Sequence, residues 1–171
     1  MQRRTKTGGS FLTNKKLAET AVLASLAIVL GYIETLIPIP IPIPGIKLGI
    51  SNLAIMLVLF RIGKKSAFGV MLIKVTVSSV LFSGFTAFAY SLCGGLLSLA
   101  VMCLLKNVLS VKFVSAAGGI AHNLGQLFAA CAVLKDWSVM VFIPYLLISG
   151  LITGVLIGVV CELFLRHVIK S

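Results

Sequence analysis

Acidic side chains are nearly missing from this chain. Four Asp and Glu stand against 15 Lys and Arg in 171 residues, and Asp136 is the sole aspartate. No aspartate-rich motif is there to hold magnesium and a diphosphate. There is also no P-loop, no HExxH and no serine–histidine–acid set. The chain is therefore not expected to hydrolyse ATP or to be an enzyme by itself, and no catalytic residue, metal ligand set or cofactor is expected. Its four cysteines, Cys93, Cys103, Cys131 and Cys161, have no CxxC spacing and fall inside apolar runs. They read as small residues of an apolar core, neither disulfides nor metal ligands. Charge of either sign is scarce as well: 11% of residues are charged, where a soluble domain carries about a quarter.

What is abundant is oil. Hydrophobic residues make up 59% of the chain and the mean hydropathy is +1.14, which describes a polytopic membrane protein whose apolar surface is matched by lipid. The net charge of +11 does not point to nucleic acid, because the basic residues flank apolar segments instead of forming a stripe interleaved with aromatics. A hydrocarbon core of ~30 Å needs about 20 helical residues. Six stretches fit, giving an all-α bundle of six transmembrane helices: Leu17 to Ile37, Gly45 to Ile62, Lys65 to Phe82, Phe85 to Leu105, Phe113 to Leu134 and Val139 to Leu165. The second is the weakest, since its purely apolar part is only Leu53 to Phe60. The first is too long for a signal-peptide core and further spans follow it. The chain then divides into a basic tail (1–16), one transmembrane domain (17–165) and a short C-terminal tail (166–171).

Basic residues test the layout. With both termini in the cytoplasm, the inner side collects Arg3, Arg4, Lys6, Lys15, Lys16, Arg61, Lys64, Lys65, Lys106, Lys112, Arg166 and Lys170. The outer side has only Lys47 and Lys135, and Lys74 falls mid-span. Small residues repeat every fourth position at Gly150, Gly154 and Gly158 and at Ala121, Gly125 and Ala129, the spacing of smooth helix faces that pack closely.

One stretch interrupts the apolar pattern. Between Pro38 and Asn52 the chain reads PIPIPIPGIKLGISN. Proline fixes φ, lacks an amide proton and pushes the preceding residue to extended geometry, so a stiff polyproline-II-like segment is expected. Lying across the mouth of the bundle, it would act as a lid, or as a wall holding Lys47 and Asn52 over what lies beneath. The plainer reading is a stiff connector.

Polar groups inside the spans are few and costly. They are Glu34, Asn52, Lys74, His122, Asn123 and Gln126, and the topology puts all six in the middle or outer half of the bilayer, with Lys47 at the rim. Shared depth suggests a polar chamber that suits a small anionic or zwitterionic organic molecule. The bland alternatives are that Lys74 snorkels or pairs with Glu34, and that Asn123 and Gln126 bridge helices. Glu162, four residues before Arg166, reads as half of a structural pair.

The runs GYIETLIPIPIPIPGIKLGISNLAIMLVLFRIGKKSA, FSGFTAFAYSLCGGLLSLAVM and SAAGGIAHNLGQLFAA resemble the Gx transporter family, also labelled heptaprenyl diphosphate synthase component I. That family is similar to the S components of energy-coupling-factor (ECF) transporters of the bacterial inner membrane. The likeness covers almost the whole chain from the first span. It implies an uptake component that binds a small nutrient from outside, docks on a T component driven by two ABC-type ATPases, and topples to release its load. Gly45, Lys47, Gly49, Asn52, Gly94, Gly95, His122, Asn123, Gly125 and Gln126 carry the motif. Where relatives tend to have arginine in the third span, this chain has Lys74, keeping the charge without a bidentate grip. The docking face expected on the first helix, alanine-x-x-x-alanine, is represented only by Ala21-x-x-x-Ser25 and Thr20-x-x-x-Ala24. The family's other label implies a different role, a membrane anchor for a catalytic prenyl diphosphate synthase subunit.

Overall fold

The computed structural model describes residues 7–37, 47 and 49–169, with side chains from 14 to 167 within those ranges. The proline run 38–46 lies outside the described residues, so the lid expected there has no structural account, nor does Gly45. Among the described residues there is no strand. Helix α1 spans Thr7–Leu36, α2 Asn52–Arg61, α3 Lys64–Ser78, α4 Gly84–Leu105, α5 Val111–Leu134 and α6 Ile143–Ile169. A π-helical turn, Ser79–Ser83, joins α3 to α4, and a 3-10 turn, Trp137–Phe142, leads into α6.

The lengths correct several expectations. Among the described residues four stretches are long and apolar enough to cross a bilayer: Asn14–Leu36, Lys64–Leu105, Val111–Leu134 and Trp137–His167. Of the described residues in the second expected span, Gly45 to Ile62, Asn52 to Arg61 are helical, about 15 Å of the ~30 Å needed. Its start is delayed by Gly49, whose φ of 84° is left-handed and interrupts any helix. The third and fourth expected spans are one helical stretch of 42 residues, which if straight would reach about 63 Å. It is not straight. Gly95 packs on Met71 and Val75, and Phe68 and Leu99 share one groove, so α4 runs back along α3. The reversal falls at Gly84, at φ 79°. Helix also extends into both stretches read as tails, since α1 begins at Thr7 and α6 continues to Ile169, because backbone hydrogen bonding does not stop where hydropathy does. Glu162 supports the last turns of α6 by pairing with Arg166 and, at 3.6 Å, with Lys112. Before α6, Asp136 accepts from the Ser138 amide and hydroxyl, both at 2.8 Å; these bonds hold its carboxyl below the usual carboxylate range.

Helix α5 is the centre of the bundle, and glycine is the reason. Ridges without Cβ atoms let backbones approach until carbonyls touch the facing helix. Against α6, a Cβ at Gly150 would lie 2.8 Å from the Gly119 carbonyl oxygen, one at Gly154 2.7 Å from that of Ser115, and one at Gly158 2.8 Å from the Lys112 Cα. Against α4, a Cβ at Gly125 would lie 2.8 Å from the Cys93 carbonyl oxygen. Both small-residue repeats therefore pack inside the bundle. On the other flank, Leu23 and Ala27 of α1 join Ile55, Met56 and Leu59 of α2 and Val70 and Met71 of α3 in one buried cluster. Arg61 pairs with Glu19 of α1, and Lys106 Nζ donates to the Leu59 carbonyl at 2.7 Å, satisfying one of the orphan acceptors at the end of α2. The outside is greasy: Phe85 is 84% exposed and Val80 78%, as a surface facing lipid tails would be.

Candidate functional site

The site is built where the non-helical segment before α2 meets α1, the π turn and α5. Glu34, buried near the end of α1, accepts from the Ile50 amide at 2.5 Å, the Ser51 hydroxyl at 2.6 Å and the Ser51 amide at 3.4 Å. These amides open the first turn into α2, where backbone N–H groups have no helical acceptor. Ser51 caps nothing with its own side chain, so the carboxylate from α1 does that work across the fold. A negative group there also suits the positive end of the helix dipole.

Lys47 pins the same segment at two further points. Its amide donates to Gln126 Oε1 at 3.2 Å, and its ammonium donates to Ser83 Oγ at 2.9 Å. Gly49 then passes so close to α5 that a Cβ would sit 2.9 Å from Asn52 Nδ2 and 3.2 Å from His122 Cδ2. The glycines of α4 complete the fit. A Cβ at Gly94 would lie 2.8 Å from both the His122 carbonyl oxygen and Gln126 Cγ. Gly94 and the HNxGQ motif therefore belong together, the first supplying bare backbone on which the second rests, while Gly95 faces α3.

Lys74 enters from α3. It is 2% exposed, its Cε stem lies beside Gly31 of α1, and Glu34 and His122 are within its electrostatic reach. Its ammonium makes no ion pair among the described residues. His122 Nδ1 and Gln126 Nε2 are buried without a hydrogen-bond partner, as are the hydroxyls of Ser78 and Ser79. Buried polar atoms in native proteins are nearly always paired; the hydroxyls of Ser91 and Ser98 and the Asn123 side-chain oxygen also lack partners, and four such atoms belong to this cluster and the adjoining turn. Two lysines face a single carboxylate, and that carboxylate is already held by three donors. The excess is positive.

Five of the seven residues expected at a site thus converge: Glu34, Lys47, Lys74, His122 and Gln126. Two do not. Asn123 turns to the opposite side of α5, where its Nδ2 donates to the Leu146 carbonyl at 2.8 Å and to Ser149 Oγ at 3.2 Å, because residues adjacent on a helix face ~100° apart. Asn52 sits at the edge and lines a separate small void with Ser98, Ser115 and Gly118. The serines Ser51, Ser78, Ser79 and Ser83 were not anticipated. One signal was available, since Ser78 lies four residues after Lys74 and so shares its helix face.

Residues 23–164 match the family model described as heptaprenyl diphosphate synthase component I. No curated protein and no solved structure matches the chain. The matched range includes every residue of the cluster and covers well over half of the sequence, so the chain belongs to the heptaprenyl diphosphate synthase component I family.

Proposed function

We propose that this protein is the substrate-binding membrane component of a bacterial ECF-like uptake system, taking a small anionic or zwitterionic organic molecule. The supporting observation is that two lysines are buried beside a single carboxylate, with His122 Nδ1 and Gln126 Nε2 left without partners. An isolated buried ammonium costs several kcal/mol, and an incoming anion would offset that cost while taking up the free donors. In this reading both termini are cytoplasmic in the bacterial inner membrane, the α3–α4 hairpin crosses twice, and α2 with the segment before it completes six crossings. Ala21 and Ser25 lie on the exposed face of α1, the position a T component with its ATPases would use.

Purification followed by mass spectrometry of the bound small molecule tests the proposal. Lys74→Ala and His122→Ala should each weaken binding of that molecule at least about tenfold, ~1.4 kcal/mol. Unchanged affinity in both would sink it. The family's description favours a second reading, an anchor for a prenyl diphosphate synthase subunit. The sole aspartate is engaged with Ser138, so catalysis in that case would rest with the partner, and recovery of a soluble prenyltransferase with the purified protein would support it.

A further inference from the structure

Beside the cluster, on the outer surface of the α3–α4 hairpin, lies an apolar groove of about 400 Å³ bounded by Thr76, Ser79, Val80, Gly84, Phe85 and Phe88. Its floor holds one anomaly. Ser79 is 4% exposed and its hydroxyl is buried without a partner, behind a lining that is mostly hydrocarbon. One turn on, Ser83 accepts from the Lys47 ammonium, and the next residue, Gly84, is already groove wall. The Lys47 ammonium has three N–H groups, of which Ser83 engages one among the described residues. The groove and the cationic cluster are therefore joined by a single π-helical turn, a feature found often at functional sites.

We infer that the ligand is a single-tailed anionic amphiphile, its head held by Lys47 and the hydroxyls of Ser79 and Ser83 and its tail laid along Val80, Phe85 and Phe88. This rests on the binding role proposed above and narrows its substrate class. An ordinary bilayer chain would fill the groove but leave the Ser79 hydroxyl and the remaining N–H groups of the Lys47 ammonium without a partner. An anionic head answers both. The volume also matches one chain better than two, at the small end of ligand sites. Because lipid tails are as apolar as the groove, the tail adds selectivity by shape while the head supplies the affinity.

The probe is decyl phosphate carrying a photoactivatable diazirine at the end of its tail, added to the protein in nanodiscs of phosphatidylcholine. Crosslinks should fall on Phe85 or Phe88, be competed by plain decyl phosphate but not by decanol, and drop about tenfold in Lys47→Ala. Val80→Trp changes an outward-facing side chain, leaves the fold intact as judged by thermal unfolding, and should abolish the groove crosslinks. Equal competition by decanol, or equal labelling in Lys47→Ala, would mean ordinary lipid contact and would overturn the inference. Recovery of a tailless anion by mass spectrometry, with its binding lost in Lys74→Ala, would also overturn it while leaving the binding role standing. Failure of both the crosslink and the recovery would remove both.

Discussion

The two sides of α5 are built on opposite rules. Toward α6, Gly119 meets Gly150, Ser115 meets Gly154, and Lys112 meets Gly158 in backbone contact, with Asn123 donating across the seam to Leu146 and Ser149. Toward α4 and the segment before α2, His122 and Gln126 each leave a nitrogen without a partner, and two lysines lie buried nearby. The first seam is closed apart from the Asn123 side-chain oxygen, which has no partner. The second packs backbone on α4 at Gly94 and Gly125 and is polar and unfinished beside them. Helices in a membrane gain little from the hydrophobic effect between them, so backbone packing is what holds the first seam, and under the binding role proposed above the second is where a ligand would enter.

Breaking the closed side should cost most. Gly150→Leu would drive a branched side chain into the Gly119 backbone, and overpacking of this kind costs about 3 kcal/mol or prevents folding. Thermal unfolding in detergent measures it, and a melting temperature within a degree of wild type would show that the seam is not what holds α6. Glu34→Ala comes next. Removing the carboxylate leaves the Ile50 amide and the Ser51 hydroxyl unpaired where water is scarce, about 2 kcal/mol. The same assay should register the loss, and added proteolytic cleavage between α1 and α2 should accompany it.

Much of this contrast was legible in the letters alone. Gly150, Gly154 and Gly158 announce a smooth face by their spacing, and that face is the seam. Depth in the membrane grouped Glu34, Lys47, Lys74, His122 and Gln126, and the fold brings these five together. Depth says nothing about azimuth, however, and that is why Asn123 was grouped with them. It shares their height but points ~100° away from His122. Hydropathy likewise counts apolar residues without seeing where a helix starts, so it credits Gly45 to Ile62 with a full span, whereas among the described residues there α2 starts at Asn52. The capping of α2 by Glu34 was not visible at all, because it joins residues 16 and 17 positions apart through a turn whose path no local pattern encodes.

Lys74→Met sharpens the comparison, because its two effects should have opposite signs. Replacing a buried unpaired ammonium with an apolar chain of similar length should raise stability by about 1 kcal/mol, while binding of the recovered ligand falls at least about tenfold. Residues kept for function at a cost in stability behave in this way. A fall in melting temperature would instead make Lys74 a structural element of the bundle.

The smallest effect separates the two sides of α5 at neighbouring positions. Asn123→Ala removes the donor to the Leu146 carbonyl and Ser149 hydroxyl, and one net hydrogen bond contributes about 1 kcal/mol. Its neighbour three residues on, Gln126, contacts the Lys47 amide instead. Asn123→Ala should therefore lower the melting temperature and leave ligand affinity unchanged, whereas Gln126→Ala should weaken affinity by about tenfold, ~1.4 kcal/mol. Measuring both quantities on both variants tests the division directly. If Asn123→Ala weakened binding as much as Gln126→Ala, the ligand would have to reach around α5 into the α6 seam, and the two sides would be one site.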